Sequence, residues 1–444
     1  MPLPPVFIVS ATRTPIGAYL GSLSSLKASE LGSIAIKAAL ERAKVSPDQV
    51  GEVFMGNVLS AGMGQAPARQ AMRFAGLPDE VPATTISKVC GSGMAAIIAG
   101  LRTIALGDAD VVVAGGMESM SNVPYYLDKG RQGYRMGNGT LIDGMIHDGL
   151  WDPYSNVHMG TCGDKCAAEY KVTREAQDEW AKESFRRALS AQKEGQFDAE
   201  IVPVPVPQRK GDPVLVKLDE GPAKGDPAKI GGLRPAFTKD GTITAANASS
   251  INDGASALVL ASEDAVKKHG LSPLAKIVGY GSAAQAPEWF TTAPAKAMDS
   301  TLAKLGLKAD DIDLVEINEA FAAQVLPSAR DLGISYDKLN VNGGAIALGH
   351  PLGCAGMTLA DIDLVEINEA FAVVAMVSAQ LSKIDPAKVN VRGGAVALGH
   401  PIGASGARIV TTLLHTLKDQ NKKRGLASIC IGGGEALAMV IERA

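Results

Sequence analysis

The chain is poor in aromatic rings, histidine, cysteine and net charge. Aromatic residues make up 5% of its 444 positions against 46% for all apolar types, so its core must be built mainly from Ala, Val, Ile and Leu with abundant Gly. The formal net charge is −4, and the longest basic run is NKKR at 421–424. Bulk charge therefore argues against a nucleic-acid or anionic-membrane partner. No uninterrupted apolar run reaches the roughly 18 residues a membrane helix needs. Cysteines number five: Cys90, Cys162, Cys166, Cys354 and Cys430. An odd, scattered set argues against a disulfide framework. Cys162 and Cys166 have no second pair and no nearby His at ligand spacing beyond His158, so they read as small side chains on one helix face rather than as zinc ligands. The N-terminus, MPLPPVFIVSATRTP, enters a strand-like run at once and lacks the signal-peptide pattern, and the C-terminal VIERA is not a peroxisomal address. The expectation is a soluble cytoplasmic protein.

What is present is alternation. VFIVSA (6–11) precedes a helical pattern at 31–43, EVFMGNV (52–58) precedes one at 67–76, and TTISKV (84–89) precedes one at 91–107, which DVVVAGG (110–116) follows. A second series begins with SALVLA (256–261) and AKIVGYG (275–281). It continues through a helical pattern at 293–306, the strand-like DLVEI, VNVRGGAVALG (389–399), SGARIVTTLLHTL (405–417) and LASICIGGGEALAMVIER (426–443). Such alternation predicts an α/β protein with a largely parallel sheet covered by helices. SGMAAIIAGLRTI (92–104) and SGARIVTTLLHTL share their spacing, and each leads into a strand ending in glycines, VVVAGG and ICIGGG. That recurrence suggests two related halves. The organisation expected is an N-terminal half at 1–117 and a loop domain at 118–250, rich in Pro, Gly and charge near 202–235. A C-terminal half at 251–444 follows, and a strand after the loop domain closes the first half.

One segment is repeated. DIDLVEINEAFA stands at 311–322 and again at 361–372, and the copies lead to GGAIALGHPLG (343–353) and GGAVALGHPIG (393–403). The intervening residues differ, so this is a junction of two homologous segments and not a fresh tandem copy.

Several residues carry chemistry. Cys90 ends a strand-like run just before a helix, where unpaired N–H groups and the helix dipole favour a thiolate nucleophile. His400 lies in a Gly-rich turn between a strand and a helix. Asn368 follows a strand-like run. Cys430 lies on a strand entering a glycine run whose bare N–H groups suit an oxyanion.

These stretches, with SATRTPIG (10–17), GNVLSAGMGQAPARQ (56–70), KVCGSGM (88–94), VAGGMESMSNVPY (113–125), HMGTC (158–162) and TAANASSINDGASALVL (244–260), resemble the thiolases over nearly the whole chain. The likeness is strongest to the short-chain biosynthetic type. The resemblance implies a duplicated five-layer αβαβα fold and a ping-pong acyl-cysteine mechanism. Two acetyl-CoA would condense reversibly to acetoacetyl-CoA and CoA, with CoA as substrate and no cofactor or metal. It implies that Cys90 is the nucleophile, His400 its base and Cys430 the base at the second substrate's α-carbon. One oxyanion would lie on His400 and a water held by Asn368, the other on the N–H groups of Cys90 and Gly432. Leu150, His158, Met159, Phe237, Ala245, Ser249, Ala370 and Phe371 would bind substrate, with Met159 limiting acyl length. A homodimer or homotetramer is implied. The alternatives are a 3-ketoacyl-CoA thiolase of broader chain length and an inactive CoA-binding relative disrupted by the repeat. A decarboxylating β-ketoacyl synthase is disfavoured by Cys430.

Chain continuity separates the two copies. His400 is followed by a helical pattern and then Cys430, whereas His350 runs directly into the next copy with no room for that helix. The second copy, with Asn368 and His400, is therefore expected in the site in place of Asn318 and His350, and 310–360 is expected to be a duplicated insertion.

Overall fold

The computed structural model of the chain describes residues 4–169, 171–224, 226, 228–284, 286–288, 364–372 and 390–444. The first repeat copy, including Asn318 and His350, and the proposed insertion at 310–360 lie outside the described residues.

Ten strands form one sheet among the described residues. Its first part runs Ala83–Ile86, Glu52–Gly56, Val111–Ser119, Asn252–Ser262 and Val6–Arg13, with pairings parallel, parallel, antiparallel and antiparallel. Its second part runs Leu364–Ile367, Arg424–Ile431, Glu435–Arg443 and Ala275–Ala284, paired parallel, antiparallel and antiparallel. The same order and sense recur, so the halves are structural duplicates. They meet where Phe7 pairs with Lys276 and Ile8 with Ala275. The sheet is mixed, which corrects the expectation of a largely parallel one. In each half one strand inserts antiparallel between two neighbours, and hydropathy cannot encode strand direction. Asn252–Ser262 is that strand in the first half, so the second half begins beyond it and not at 251.

Helix Ala28–Ala43 turns Leu31, Ala35, Ile36, Ala39 and Leu40 onto the outer face of the first half. Helix Pro67–Phe74 packs beside it through Ala68, Ala71 and Met72. Helices Ser92–Leu106 and Ser405–Asp419 lie between the halves and share one core with strands of both. Four of the five expected layers are thus seen. The central position explains why Val89–Leu106 is apolar enough, by length and composition, to cross a membrane: it is solvated on both sides by protein. The two central helices cross at glycines. A Cβ on Gly93 would stand 2.8 Å from the Ala407 nitrogen, and one on Gly406 would stand 2.6 Å from the Met94 nitrogen. No side chain fits there.

The loop region is fastened to the first half by buried charge. Arg13, from the SATRTP motif, donates to Glu200 at 2.6 Å and to both oxygens of Asp219 at 2.7 and 3.0 Å. All three side chains are buried, and the Arg13 guanidinium lies 5.0 Å from the Phe197 ring centroid.

Candidate active site

Cys90 stands on a sharp strand-to-helix turn. Its neighbour Val89 has φ 44°, a left-handed conformation that a β-branched residue rarely adopts. The helix begins two residues later at Ser92, whose Oγ accepts from the Lys88 N–H at 2.8 Å and donates to the Val89 carbonyl at 2.6 Å. These bonds hold the strained turn, a form of strain that clusters at functional sites. The Gly432 N–H faces the Cys90 sulfur. Contrary to the expectation of a favoured thiolate, the Cys90 thiol is pushed up to about 11. Desolvation outweighs the nearby N–H groups, and the charge of Glu118 adds to it. Cys90 therefore needs a base to take its proton. Cys430, in the strand Arg424–Ile431, is pushed up by burial and then by its proximity to Cys90.

His400 is buried between one helical turn, Ala395–Leu398, and the helix Ser405–Asp419. A helical turn and not a strand precedes it, because Gly394 and Gly399 bound a run of only four residues. Its Nδ1 lies 2.6 Å from Ser405 Oγ, and that hydroxyl donates to the Pro401 carbonyl at 3.0 Å. The hydroxyl has one proton, so it accepts from Nδ1–H, which leaves Nε2 as the lone-pair nitrogen. Nε2 is buried and without a hydrogen-bond partner among the described residues. Burial, then the charge of Arg408, holds the imidazole well below its usual pKa, so it rests neutral. Replacing Ser405 with alanine removes this control. The expected result is a fall in kcat of about 10-fold or more with little change in KM, since general-base catalysis contributes about 10²–10⁴. Steady-state kinetics checks it, and an unchanged kcat would sink the tautomer argument.

Asn368 follows the strand Leu364–Ile367. It is buried, and both side-chain atoms lack a hydrogen-bond partner among the described residues. Its neighbour Glu369 fixes the loop, accepting from Trp180 Nε1 at 3.1 Å, Ser184 Oγ at 2.7 Å, Asn390 Nδ2 at 3.0 Å and the Val396 N–H at 3.1 Å. Glu369→Ala strands these donors in a buried space. A loss of about 3 kcal/mol or more is expected, at 1–3 kcal/mol per unsatisfied group. Denaturant unfolding measures it, and a loss below about 1 kcal/mol would contradict the hub role.

One segment joins both motifs. The Ser249 N–H and Oγ donate to the Ala370 carbonyl at 3.0 and 2.9 Å, and Ala248 pairs with Phe371. Two residues on, the Ser250 carbonyl and Asn252 Oδ1 accept from the His400 N–H at 3.3 and 3.0 Å. Asn252 thus anchors the backbone of His400.

The remaining expected residues form two groups. His158 stacks on Phe237 at 4.6 Å between centroids, and Phe237 meets Phe371 edge-on at 6.3 Å. His158 Nδ1 accepts from the Gly160 N–H at 3.0 Å, which leaves its Nε2–H free to donate. Met159 stands beside Gly432, its Cε 3.6 Å from where a Cβ on that glycine would lie. A cavity of about 400 Å³ opens there, lined by Val89, Met159, Ile431 and Gly432. Ala245 lies apart from these, in an open cavity of about 600 Å³ with Lys224, Lys229 and Ser250. Leu150 ends the stretch Ile146–Leu150, and Gly149 beside it packs on Leu59 and Ile402. Cys162 and Cys166 are unpaired and buried on the helix Met159–Glu169.

Comparison with known proteins bears on this arrangement. The model of the thiolase N-terminal domain matches residues 6–264, and that of the thiolase C-terminal domain matches twice, over 271–360 and 354–443. The chain belongs to the thiolase family. The second of the C-terminal matches contains Asn368, His400 and Cys430. This thiolase is 49% identical to acetyl-CoA acetyltransferase 2 of Arabidopsis thaliana, an alignment covering 98% of the chain and 96% of that protein. It is 48% identical to the acetyl-CoA acetyltransferase of Cupriavidus necator over 99% of both. Among solved structures, a thiolase of Ascaris suum in complex with coenzyme A superposes with TM-score 0.81 at 41% identity, covering 99% of this chain and 100% of that one. The acetyl-CoA acetyltransferase of Bacillus anthracis superposes with TM-score 0.85 at 37% identity over the full length of both.

Sequence reasoning missed Ser405, Asn252, Glu118 and Glu369 as supporting residues. Each lay inside a motif already quoted, but the role of Asn252, Glu118 and Glu369 depends on partners distant in the chain, and that of Ser405 on a turn that folds its hydroxyl back onto His400 five residues before it.

Proposed function

We infer that this thiolase is an acetyl-CoA C-acetyltransferase, an acyltransferase that interconverts two acetyl-CoA with acetoacetyl-CoA and CoA. The observation that carries the mechanism is the buried Nε2 of His400, without a hydrogen-bond partner among the described residues and oriented by Ser405, in a site with two cysteines whose thiols are held neutral by burial. Nε2 takes the Cys90 proton as sulfur attacks the acetyl thioester. The resulting thiolate and imidazolium attract one another strongly where water is excluded, which offsets the cost of charging two buried groups. CoA leaves with the proton from His400, and the acetyl group remains on Cys90. The neutral His400 next takes the Cys430 proton, and the Cys430 thiolate removes a proton from the α-carbon of a second acetyl-CoA. The carbanion attacks the acetyl-Cys90 carbonyl, the carbon–sulfur bond breaks, and the imidazolium returns its proton to Cys90 as acetoacetyl-CoA is released. Electrons balance within the thioester exchange, so the proposed cycle calls for no cofactor. The amide of Asn368, free of hydrogen-bond partners among the described residues, suits a water that shares one oxyanion with His400, and the Gly432 N–H suits the other at Cys90.

The test is the CoA-dependent loss of acetoacetyl-CoA absorbance. Its absence in folded protein would reject the activity in favour of binding alone. The acyl pocket carries a second test. Met159 narrows the space beside Gly432, so Met159→Ala is expected to raise kcat/KM for a six-carbon 3-ketoacyl-CoA relative to acetoacetyl-CoA by about 10-fold, since each methylene in such a pocket is worth about 1–3 kcal/mol. An unchanged ratio would remove Met159 from chain-length control. CoA would reach the site along the open cavity of Ala245, which Lys224 and Lys229 line, each paired with a carboxylate, Glu220 and Asp226, that a phosphate would displace. Exposed Tyr125, Leu127, Tyr134, Met136 and Leu141 fall close together in sequence, which supports assembly as a homodimer or homotetramer, checked by sedimentation. A cytosolic location belongs to the same proposal and is checked by fractionation.

A further inference from the structure

Glu118 is the penultimate residue of the strand Val111–Ser119, is fully buried, and has no role in the steps above. Both carboxylate oxygens are saturated. Oε1 accepts from Asn57 Nδ2 at 2.7 Å and the Leu59 N–H at 3.2 Å, and Oε2 accepts from the Val58 N–H and the Gly403 N–H, each at 3.0 Å. Four donors on two oxygens leave no place for a proton, so the geometry calls for the anion. Burial nevertheless raises its pKa to about 7, with Asp253 adding to the effect.

The four donors lead to the two halves of the chemistry. Gly403 lies three residues after His400. Asn57–Leu59 continues from Gly56, which abuts the start of the nucleophile's helix: a Cβ on Gly56 would stand 2.6 Å from the Gly93 nitrogen and 2.8 Å from the Gly403 carbonyl oxygen. A Cβ on Gly116 would stand 2.1 Å from that same oxygen, so the Gly403 peptide is wedged between two strands with no slack. Leu59 and Ile402 share one small apolar cluster, with Val58 and Cys90 packed against it.

We propose that Glu118 is a positioning residue: its buried carboxylate ties Asn57–Leu59, against which Cys90 packs, to the Gly403 turn that follows His400. Its negative charge also opposes ionisation of Cys90 before His400 accepts the proton. This rests on the roles proposed above for Cys90 and His400. Cys90 is faced by Cys430 and by the Gly432 N–H, and Glu118 is among the charges that raise its pKa. Asp253, the other carboxylate near Glu118, is bonded to the Ser121 N–H and to the Ser121 and Ser119 hydroxyls. Lys88, next to the nucleophile turn, is paired with Glu435.

The test uses Glu118→Gln and Glu118→Asp with three readouts: thermal melting, kcat and KM for thiolysis, and the pH dependence of Cys90 alkylation by iodoacetamide, assigned by peptide mass mapping. Wild-type thiolysis, run first, separates a failure of the activity itself from a failure of this inference. For Glu118→Gln, kcat is expected to fall at least 10-fold with KM within about twofold. The alkylation midpoint is expected to move down by about one pH unit, because a negative neighbour is gone. Glu118→Asp keeps the charge and shortens the reach, so its midpoint stays at the wild-type pH while kcat falls. An unmoved midpoint in folded Glu118→Gln would overturn the inference, as would a kcat within twofold of wild type in either variant. If Glu118→Gln does not fold, Glu118→Asp decides: a lower kcat at unchanged KM, melting temperature and midpoint supports the role, and any loss explained by unfolded protein overturns it.

Discussion

Cys90→Ser is expected to lower acetoacetyl-CoA thiolysis by about 10⁴-fold or more, the scale on which removal of a covalent nucleophile acts. Serine keeps the shape of the turn, so melting should stay within a few degrees of wild type and the loss is chemical. A hydroxyl is far less acidic than a thiol, and here even the thiol is held neutral by burial. His400 would then be asked to deprotonate a group several units harder to ionise. Rapid-quench and mass measurements should find an acetyl adduct on Cys90 in the wild type and none in the variant. Substantial activity in Cys90→Ser, or an adduct at Cys430 instead, would reassign the nucleophile.

His400→Ala carries the second large effect and also decides between the repeat copies. Loss of the general base should lower kcat by about 10²–10⁴. His350→Ala, in the first copy, should leave kcat and KM within twofold of wild type. Asn252 and Ser405 hold His400 in place, and the chain continues from it through a central helix to Cys430. The opposite pattern, with His350 essential and His400 dispensable, would put the first copy in the site.

Much of the candidate site was legible because the residues proposed for catalysis sit in short contiguous motifs. Cys90 is flanked by small residues that permit a tight strand-to-helix turn, and glycine and proline mark the turn of His400 as irregular backbone. Cys430 precedes a glycine run. These are local properties, set by backbone sterics and side-chain chemistry within a few residues. The supporting residues were not legible in that way. Glu369 looks like any carboxylate in a polar motif until Trp180, Ser184, Asn390 and Val396 converge on it. Ser405 looks like a helix-start serine until its hydroxyl meets Nδ1 of His400.

The ionisation of Cys90 shows the same division more sharply. From the sequence, a cysteine beside a helix N-terminus reads as a favoured thiolate. In the fold, desolvation outweighs the dipole and a buried carboxylate adds to it, so the group is a thiol awaiting a base. Which effect prevails depends on how many protein atoms replace water around the sulfur, and no local pattern records that number.

By itself, the sequence determined the alternation of elements, the duplication of two halves, the repeat at 311–322 and 361–372, and the candidate reactive groups. Each follows from periodicity, identity or chemistry along the chain. Only the tertiary structure decided strand direction, the place of Asn252–Ser262 in the first half, the tautomer of His400, and the charge on Cys90 and Glu118. Those depend on which groups, near or distant in the chain, come within hydrogen-bond reach and which are shut away from water.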